Sequence, residues 1–429
     1  MVEFTSVKEA MRRGEGEVAL RGWVYRERGS KKLKFIVLRD STNIIQCVVS
    51  KDVVGDGKFE LADKIQIEAS MKIWGTIKRD ERAPSGYEVQ VRDFEIVGES
   101  DQFPITKDQS VELLMDKRHL SIRTRRLTAI LKIRSTMLFA FHEYLHEHGY
   151  TEAQAPTFNA ATSEGGSSTF RVDYFGQDAF LTQSWQFYAE NFIHAFEDVY
   201  ALAPSFRAEK SSTNRHLTEF WHLEVESAWK DMSDILSVAE GCILHAIKRI
   251  LEKHETELEV LGVDTAPWKK IEAPFPRIPY DEAIKTLQEK GFRIEYGDDF
   301  GAPEERELAK PYGVPIAVTN YPLEILKFYH GEDPDKPGTG MNFNVLAPGL
   351  GEIVDGSQRE SDLEEIERRL EKDGVDLGDS DWYLDSRRYG SVPHAGFGLG
   401  TERVLQWLLG LEHIRDALPF PRFMNRIRP

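Results

Sequence analysis

Cysteine is almost absent. Cys47 and Cys242 are the only two in 429 residues, and each sits in an apolar context far along the chain from the other. A disulfide framework is excluded, and the 12 scattered histidines give no zinc-ligand spacing, so both thiols read as small core side chains. No apolar run is long enough to cross a bilayer. The N-terminal "MVEFTSVKEAMRRGEGEV" has early acids and no apolar stretch of the signal-peptide kind. A reducing cytoplasm fits both absences. There is no Walker A loop, no dinucleotide-binding G-x-G-x-x-G, no internal repeat and no low-complexity tract. Positive charge is in deficit too: 55 Lys+Arg against 72 Asp+Glu give a net of −17, which by itself argues against a polyanionic partner.

The distribution of charge changes that last point. Residues 1–100 hold 18 basic and 17 acidic residues, a net of +1, so the remainder carries −18. "RERGSKKLKFIVLR" (26–39), which begins with Arg26 and Arg28, has six basic residues and one acid. Such a patch can bind a polyanion, because the local field decides contact; a solvated hairpin has the same composition. Five short alternating or β-branched runs occupy 17–97: "EVALRGWVYRE", "KFIVLRD", "NIIQCVVS", "DKIQIEASMKIWGTI" and "GYEVQVRDFEIV". Turn-forming residues separate them, and the pattern predicts a small closed barrel of which the oligonucleotide-binding type is a common form.

From about residue 125 the pattern turns mixed. "RLTAILKIRSTMLFAFHEYLHEHG" (126–149) has helical spacing and a glycine stop; strands and loops fill 150–226; a helix is expected over 233–257 and a linker over 260–275. "PYDEAIKTLQEKG" and "SDLEEIERRLEKDG" read as amphipathic helices, and "GFGLGTERVLQWLLGL" as a glycine-rich turn running into an apolar helix. The expected division is a barrel over 1–100, a connector over 101–117 and a larger domain over 118–429 with an inserted region at about 260–345.

Three segments carry candidate chemistry. "SFRAEKSSTNRHLTEFWHLEVE" (205–226) mixes Arg207, Glu209, Arg215, His216 and Glu224 with Phe220 and Trp221. Arg207 and Glu209 would share one face of a strand, a guanidinium can grip phosphate through two parallel bonds, and Phe220 offers a ring for stacking. A salt-bridge ladder on an amphipathic hairpin is the plain alternative. "GEIVDGSQRE" (351–360) places Glu352 and Asp355 near a Gly-Ser turn. Beside a phosphate grip such a pair commonly holds Mg²⁺, and otherwise the two are ordinary turn acids. "RRYGSVPHAGFGLGTERVL" (387–405) removes side chains at Gly396, Gly398 and Gly400 ahead of Arg403, either for ligand approach or for close packing.

Together these segments resemble the signature motifs of class II aminoacyl-tRNA synthetases. "SFRAEKSSTNRHLTEF" looks like motif 2, "GFGLGTER" like motif 3, and the helix ending at Gly149 followed by "GYTEAQAPTF" like motif 1, with Pro156 at the position that marks the dimer interface. A preceding barrel is the arrangement of the aspartyl, asparaginyl and lysyl subgroup. "RHLSIRT", "FLTQSWQFYAE", "GEIVDGSQRE" and "RRYGSVPHAGFGLG" resemble the archaeal-type asparaginyl enzymes in particular. The fold implied is α+β: an OB-fold anticodon-binding barrel, then a catalytic domain built on an antiparallel sheet flanked by helices.

The resemblance implies a cytoplasmic, homodimeric ligase that uses ATP and Mg²⁺ to activate L-asparagine and charge tRNA(Asn). It implies Arg207 on the α-phosphate, with Glu209 beside it in the motif 2 core. Arg215, His216 and Arg403 would hold the other phosphates, Phe220 and Arg403 adenine, and Gly400 would lie against the nucleotide. Glu352 and Asp355 are the implied metal ligands. Glu164 and Gln186 would bind the ammonium group, with Ala189, Glu190, Ser357 and Arg359 around the side chain. In the barrel, Arg26, Arg28, Phe35 and Gln46 would meet the anticodon, with Phe35 stacking and Gln46 reading a base edge; a core Phe35 is the alternative. Aspartyl enzymes carry lysine where this chain has Ala189. An uncompensated substrate carboxylate would be costly without it, so a neutral amide is expected, with Glu190 paired to Arg359. The chain departs from the family pattern at Trp185 and Phe187, which replace a small residue and leucine, at Ser167 and Ser168, and at Asp355. An aspartyl enzyme, a paralogue passing the adenylate to another acceptor, and a non-catalytic RNA-binding protein are the rival readings.

Overall fold

In the computed structural model, which describes residues 3–106, 109–160, 168–210, 213–374 and 381–429, the chain forms two compact units, Met1–Leu114 and Met115–Pro429. The first is a closed barrel of five strands: β1 Gly16–Gly29, β2 Leu33–Arg39, β3 Ile44–Ser50, β4 Ser70–Arg79 and β5 Tyr87–Gly98, ordered β1-β2-β3-β5-β4. Only the β3–β5 pairing is parallel. Its core is the inward set of each alternating run, including Leu20, Ile36, Leu38, Ile45, Cys47, Ile73 and Val89. Phe35 is not in that set; it faces outward between Ile36 and buried Lys34. The expected strand over "DKIQIE" is instead the end of a helix, Asp56–Lys64, and a turn. Phe59 and Ala62 are spaced for a helix, and with Ile65 they pack against the barrel core.

The second unit is built on an eight-stranded sheet. In chain order its strands are β6 Thr151–Glu152, β10 Asp198–Phe206, β11 Glu219–Ala228, β12 Arg277–Pro279, β13 Ile316–Thr319, β14 Asn342–Ala347, β15 Gly351–Gln358 and β16 His394–Gly400. Their order across the sheet is β12-β13-β14-β15-β16-β11-β10-β6, mostly antiparallel. A separate three-stranded sheet comprises β7 Phe158–Asn159, β8 Arg171–Tyr174 and β9 Gln177–Leu181. One face of the large sheet is covered by the helices Arg125–Glu147 and Met232–Lys253, whose buried stripes meet Leu223, Val225, Val354, Phe397 and Leu399 in the largest core. β12, β13 and β14 continue this sheet, while the helices Tyr280–Glu289 and Ala302–Ala309 between them pack in a core of their own.

The segment "HAGFGLG" is a central strand, not a turn. Its glycines recur every second residue, and the intervening Ala395, Phe397 and Leu399 point into the core. Cys47 and Cys242 are both fully buried, and burial pushes both thiols up. Among the described residues no helix is long and apolar enough to cross a membrane.

Candidate active site

The face of the sheet opposite the helices is nearly bare along its central strand. Gly396, Gly398 and Gly400 lie opposite Glu226, Glu224 and His222 of β11 on one side. On the other, Gly396 and Gly398 lie opposite Ser357 and Asp355 of β15. The result is a cavity of about 380 Å³ floored by glycine and walled by charged side chains. That volume falls in the range of roughly 300–1,000 Å³ usual for small-molecule sites.

Arg207 and Glu209 lie just beyond the end of β10 and not within a strand, but Arg207 N still donates to Thr218 O at 3.0 Å, so the ladder continues past the strand. Arg207, Glu209, Arg215, His216, Phe220 and Arg403 all line the cavity. The Arg207 guanidinium stands 5.6 Å from the centre of the Phe220 ring. Arg215 pairs with Glu305, whose carboxylate also accepts from Glu352 N at 3.1 Å. Arg403, in the first turn of the helix Thr401–Leu409, pairs with Glu352 at 2.8 Å. Burial lowers the pKa of His216, as do Arg403, Arg215 and Arg207, against an opposing pull from Glu209. Three guanidiniums acting on one imidazole describe an end of the cavity suited to a polyanion.

Glu352 and Asp355 are three residues apart and would face opposite sides of a regular strand. A bulge corrects this: Val345 pairs with Val354 but Leu346 with Glu352, so Ile353 is extra. Ile353 and Val354 both enter the core, while Glu352, Asp355 and Arg359 line the cavity. Two carboxylates from one strand, beside arginines, would offer oxygen donors of the kind Mg²⁺ takes.

The other end of the cavity is a buried charge network. Arg359 donates to both oxygens of Glu226, Nε and Nη2 each at 3.1 Å, and its Nη1 donates to Ser357 Oγ at 3.0 Å. This contact requires Gly396, which lies between Ser357 and Glu226. A Cβ there would come within 1.9 Å of Glu226 Oε2 and 2.5 Å of Val225 O. Glu190 does not pair with Arg359 as expected. Its carboxylate is taken by Arg387, by Tyr383 Oη at 2.8 Å, by His394 Nε2 at 3.1 Å and by Gln186 Nε2 at 2.8 Å. Burial works to raise the Glu190 carboxyl, but Arg387 and His394 outweigh it and hold it below the usual range. Burial pushes Glu226 up, with Arg359 pulling against it. In this network Arg359 is matched by Glu226 and Arg387 by Glu190.

Ala189 is completely buried in an apolar cluster with Trp185, Ile193, Val199 and Ala201, so it does not form part of the cavity wall. It sits one turn beyond Trp185 on the helix Gln186–Phe196, on the face turned to β10. Gln186 does line the cavity, as do Ser184 and Trp185. Glu164 lies outside the described residues, as does Ser167. Pro156 is exposed between β6 and β7.

In the barrel, the Arg28 guanidinium stands 5.2 Å from the Phe35 ring centre, and Gln46 donates to Glu88 at 3.0 Å. Glu88 also accepts from Gln90 at 2.6 Å and pairs with Lys78 at 3.2 Å. Arg26 is exposed and stands over the half-buried Tyr25 ring at 5.2 Å.

Sequence reasoning passed over Glu226, Glu305, Arg387, His394 and Glu88. Glu226 was within reach, since "HLEVE" on a strand puts His222, Glu224 and Glu226 on one face. The others depend on pairings across 90 to 204 positions, or 42 for Glu88, that no local pattern announces.

Two family descriptions match this chain: tRNA synthetases class II (D, K and N) over residues 110–424 and OB-fold nucleic acid binding domain over 18–97. The chain belongs to the class II tRNA synthetases. Within that family it is 45% identical to the asparagine–tRNA ligase of Thermoplasma acidophilum over 414 residues, 96% of each chain. A crystal structure of the asparaginyl-tRNA synthetase from Pyrococcus horikoshii complexed with asparaginyl-adenylate matches over 100% of both chains, with 46% identity and a TM-score of 0.96. The aspartyl-tRNA synthetase of Entamoeba histolytica matches with a TM-score of 0.87 but only 27% identity, over 100% of this chain and 93% of its own. The barrel and the sheet-based catalytic domain are thus the two parts of a class II synthetase of this group.

Proposed function

We propose that this synthetase activates L-asparagine with ATP and transfers it to tRNA(Asn). The observation that carries the reading is the Glu226–Arg359 pair, fixed across Gly396. A carboxamide is the side chain that uses both partners at once: its oxygen accepts from Arg359 and its NH₂ donates to Glu226. Aspartate would set a carboxylate against Glu226, and a mispaired buried charge keeps its desolvation cost.

In the first step an oxygen of the asparagine α-carboxylate attacks the α-phosphorus of ATP, and the bond to the bridging oxygen breaks as pyrophosphate leaves. The chain supplies no nucleophile; it positions the reactants and stabilises charge. Arg207 meets the α-phosphate, Arg215, Arg403 and His216 the other phosphates, and Phe220 stacks on adenine against Gly400. Gln186 binds the ammonium group, together with Glu164. Bound Mg²⁺, held by Glu352 and Asp355, would neutralise phosphate charge. In the second step the terminal ribose hydroxyl of the tRNA attacks the activated carbonyl carbon and AMP leaves.

Residues 1–100 act as the anticodon-binding domain, joined through 101–117 to the catalytic domain at 118–429. Phe35 offers an outward ring for an anticodon base, and Gln46, oriented by Glu88, reads a base edge beside Arg28 and Arg26. The enzyme works as a homodimer in the cytoplasm. In support, Phe139 on the long helix and Phe158 beyond Pro156 are large apolar side chains left 59% and 48% exposed. The test is charging of tRNA(Asn) and tRNA(Asp) transcripts with labelled asparagine and aspartate. Asparagine on tRNA(Asn) is the expected product; aspartate on either transcript contradicts the reading.

A further inference from the structure

Trp185 occupies a position that the reaction does not explain. It precedes the first turn of the helix Gln186–Phe196, lines the substrate cavity, and is only 4% exposed. Its indole lies in a cluster containing six alanines: 153, 189, 201 and 228, all buried, with 155 and 203 at the edge. So many minimal side chains around one of the largest is volume complementarity; each alanine on β10 and β11 leaves room that the ring fills. The indole Nε1 is buried with no hydrogen-bond partner among the described residues, so shape and not polarity keeps the residue there.

The same residue is tied to the amino-acid end of the cavity through its backbone. Trp185 N donates to Glu224 Oε2 at 2.9 Å, and Ser184 Oγ donates to the other oxygen of that carboxylate. Gln186 N donates to Ser184 Oγ at 3.1 Å, while the Gln186 side chain reaches Glu190 at 2.8 Å. The turn 184–186 therefore hangs on polar supports, the Glu224 carboxylate, the Glu190 network and Thr182 Oγ1, which donates to Ser184 O at 2.8 Å, and on one apolar support, the indole seated against the sheet.

We propose that Trp185 is a positioning residue for amino-acid recognition. Seated among the alanines, it sets the height of the Ser184–Gln186 turn over the bound amino acid and keeps water from the pocket in which Glu226 and Arg359 read the side chain. It acts through Gln186 and Ser184 and touches no reacting atom. This rests on the asparaginyl reading above.

The test is pyrophosphate exchange with asparagine, aspartate and ATP varied in turn, for the wild type, Trp185→Ala, Trp185→Phe and Trp185→Ala with Ala189→Leu. Trp185→Ala is expected to raise KM for asparagine about tenfold or more, with kcat and KM for ATP within about threefold, and to narrow the preference over aspartate. Trp185→Phe, which keeps a ring in the nest, should stay within about threefold of wild type for asparagine. Adding Ala189→Leu should bring the asparagine KM of Trp185→Ala back down, because the new methylenes refill the space. If Trp185→Ala does not fold, Trp185→Leu carries the same comparison. The proposal is overturned if the asparagine KM of the truncated variant stays within about twofold of wild type, or if KM for ATP rises in parallel, as a general loss of structure would produce. A wild type that activates a different amino acid would sink the asparaginyl reading instead, and the KM split would then be read with that amino acid.

Discussion

Replacing Glu226 with glutamine removes one negative charge at nearly constant volume and leaves the Arg359 guanidinium without its bidentate partner. Both groups are almost wholly buried, 1% and 7% exposed, so water cannot make good the loss. On the proposed reading the substrate NH₂ donates to a carboxylate in the wild type, a charge-assisted bond worth about 1.5–3 kcal/mol. In the variant that bond becomes an ordinary one, and the pocket loses one negative charge, which favours aspartate. The difference of about 1–1.5 kcal/mol between the two bonds should cost asparagine roughly 10-fold in kcat/KM. Aspartate, now able to pair with Arg359 and to accept from the new amide, should gain a comparable factor, so the preference shifts by roughly 10². Glu190, locked to Arg387 and His394, cannot swing across to replace Glu226. Pyrophosphate exchange with each amino acid measures both arms, and near-ultraviolet circular dichroism reports whether packing survives. If Glu226→Gln keeps asparagine within about threefold and still refuses aspartate, the amide is not read by this pair.

Arg207→Ala should abolish adenylate formation with the fold intact, because it deletes a contact to the reacting phosphate; near-normal exchange in that variant would remove Arg207 from the mechanism. Phe35→Ala should weaken tRNA charging by about 1–3 kcal/mol, the worth of one stacked base, and leave pyrophosphate exchange untouched; equal loss in both assays would mean a structural role. His330, buried against the cavity, has its pKa lowered to about 3, chiefly by burial and then by Arg359. Its folded value lies below the unfolded value of about 6.5, so the stability from keeping it neutral is complete above that pH. That stability is lost as pH falls from about 6.5 towards 3, at about 1.4 kcal/mol per unit. Unfolding of His330→Asn should depend less steeply on pH in that window than unfolding of the wild type, and parallel curves would refute the burial argument.

The barrel was legible because each strand announces its own alternation and each connection its turn residues. Where it misled, in "DKIQIE", an alternating run proved to be a helix end and a turn, and the spacing of Phe59, Ala62 and Ile65 was the better guide. The glycines of "GFGLG" were visible, but they were read as a turn. Their period of two, with Ala395, Phe397 and Leu399 between them, identifies a strand whose one face must stay bare. Charged residues were easier to find than to pair. Arg359 and Glu190 both belong to the buried network, yet the partner of each is decided by neighbours on other strands and helices. Glu226 reaches Arg359 because Gly396 leaves the gap, and Arg387 reaches Glu190 from a helix 197 positions away. Ala189 was singled out as a missing cation, but it lies buried beneath Trp185, a place that depends on alanines scattered over three other segments.

The central claim is that the cavity selects a neutral carboxamide for activation by ATP. Pyrophosphate exchange by the wild-type chain with each of the twenty amino acids in turn tests it without any variant or any tRNA. Asparagine should support exchange, with aspartate lower by several kcal/mol in transition-state terms, on the order of 10³-fold in kcat/KM. Equal exchange with aspartate, or exchange with neither, would contradict it.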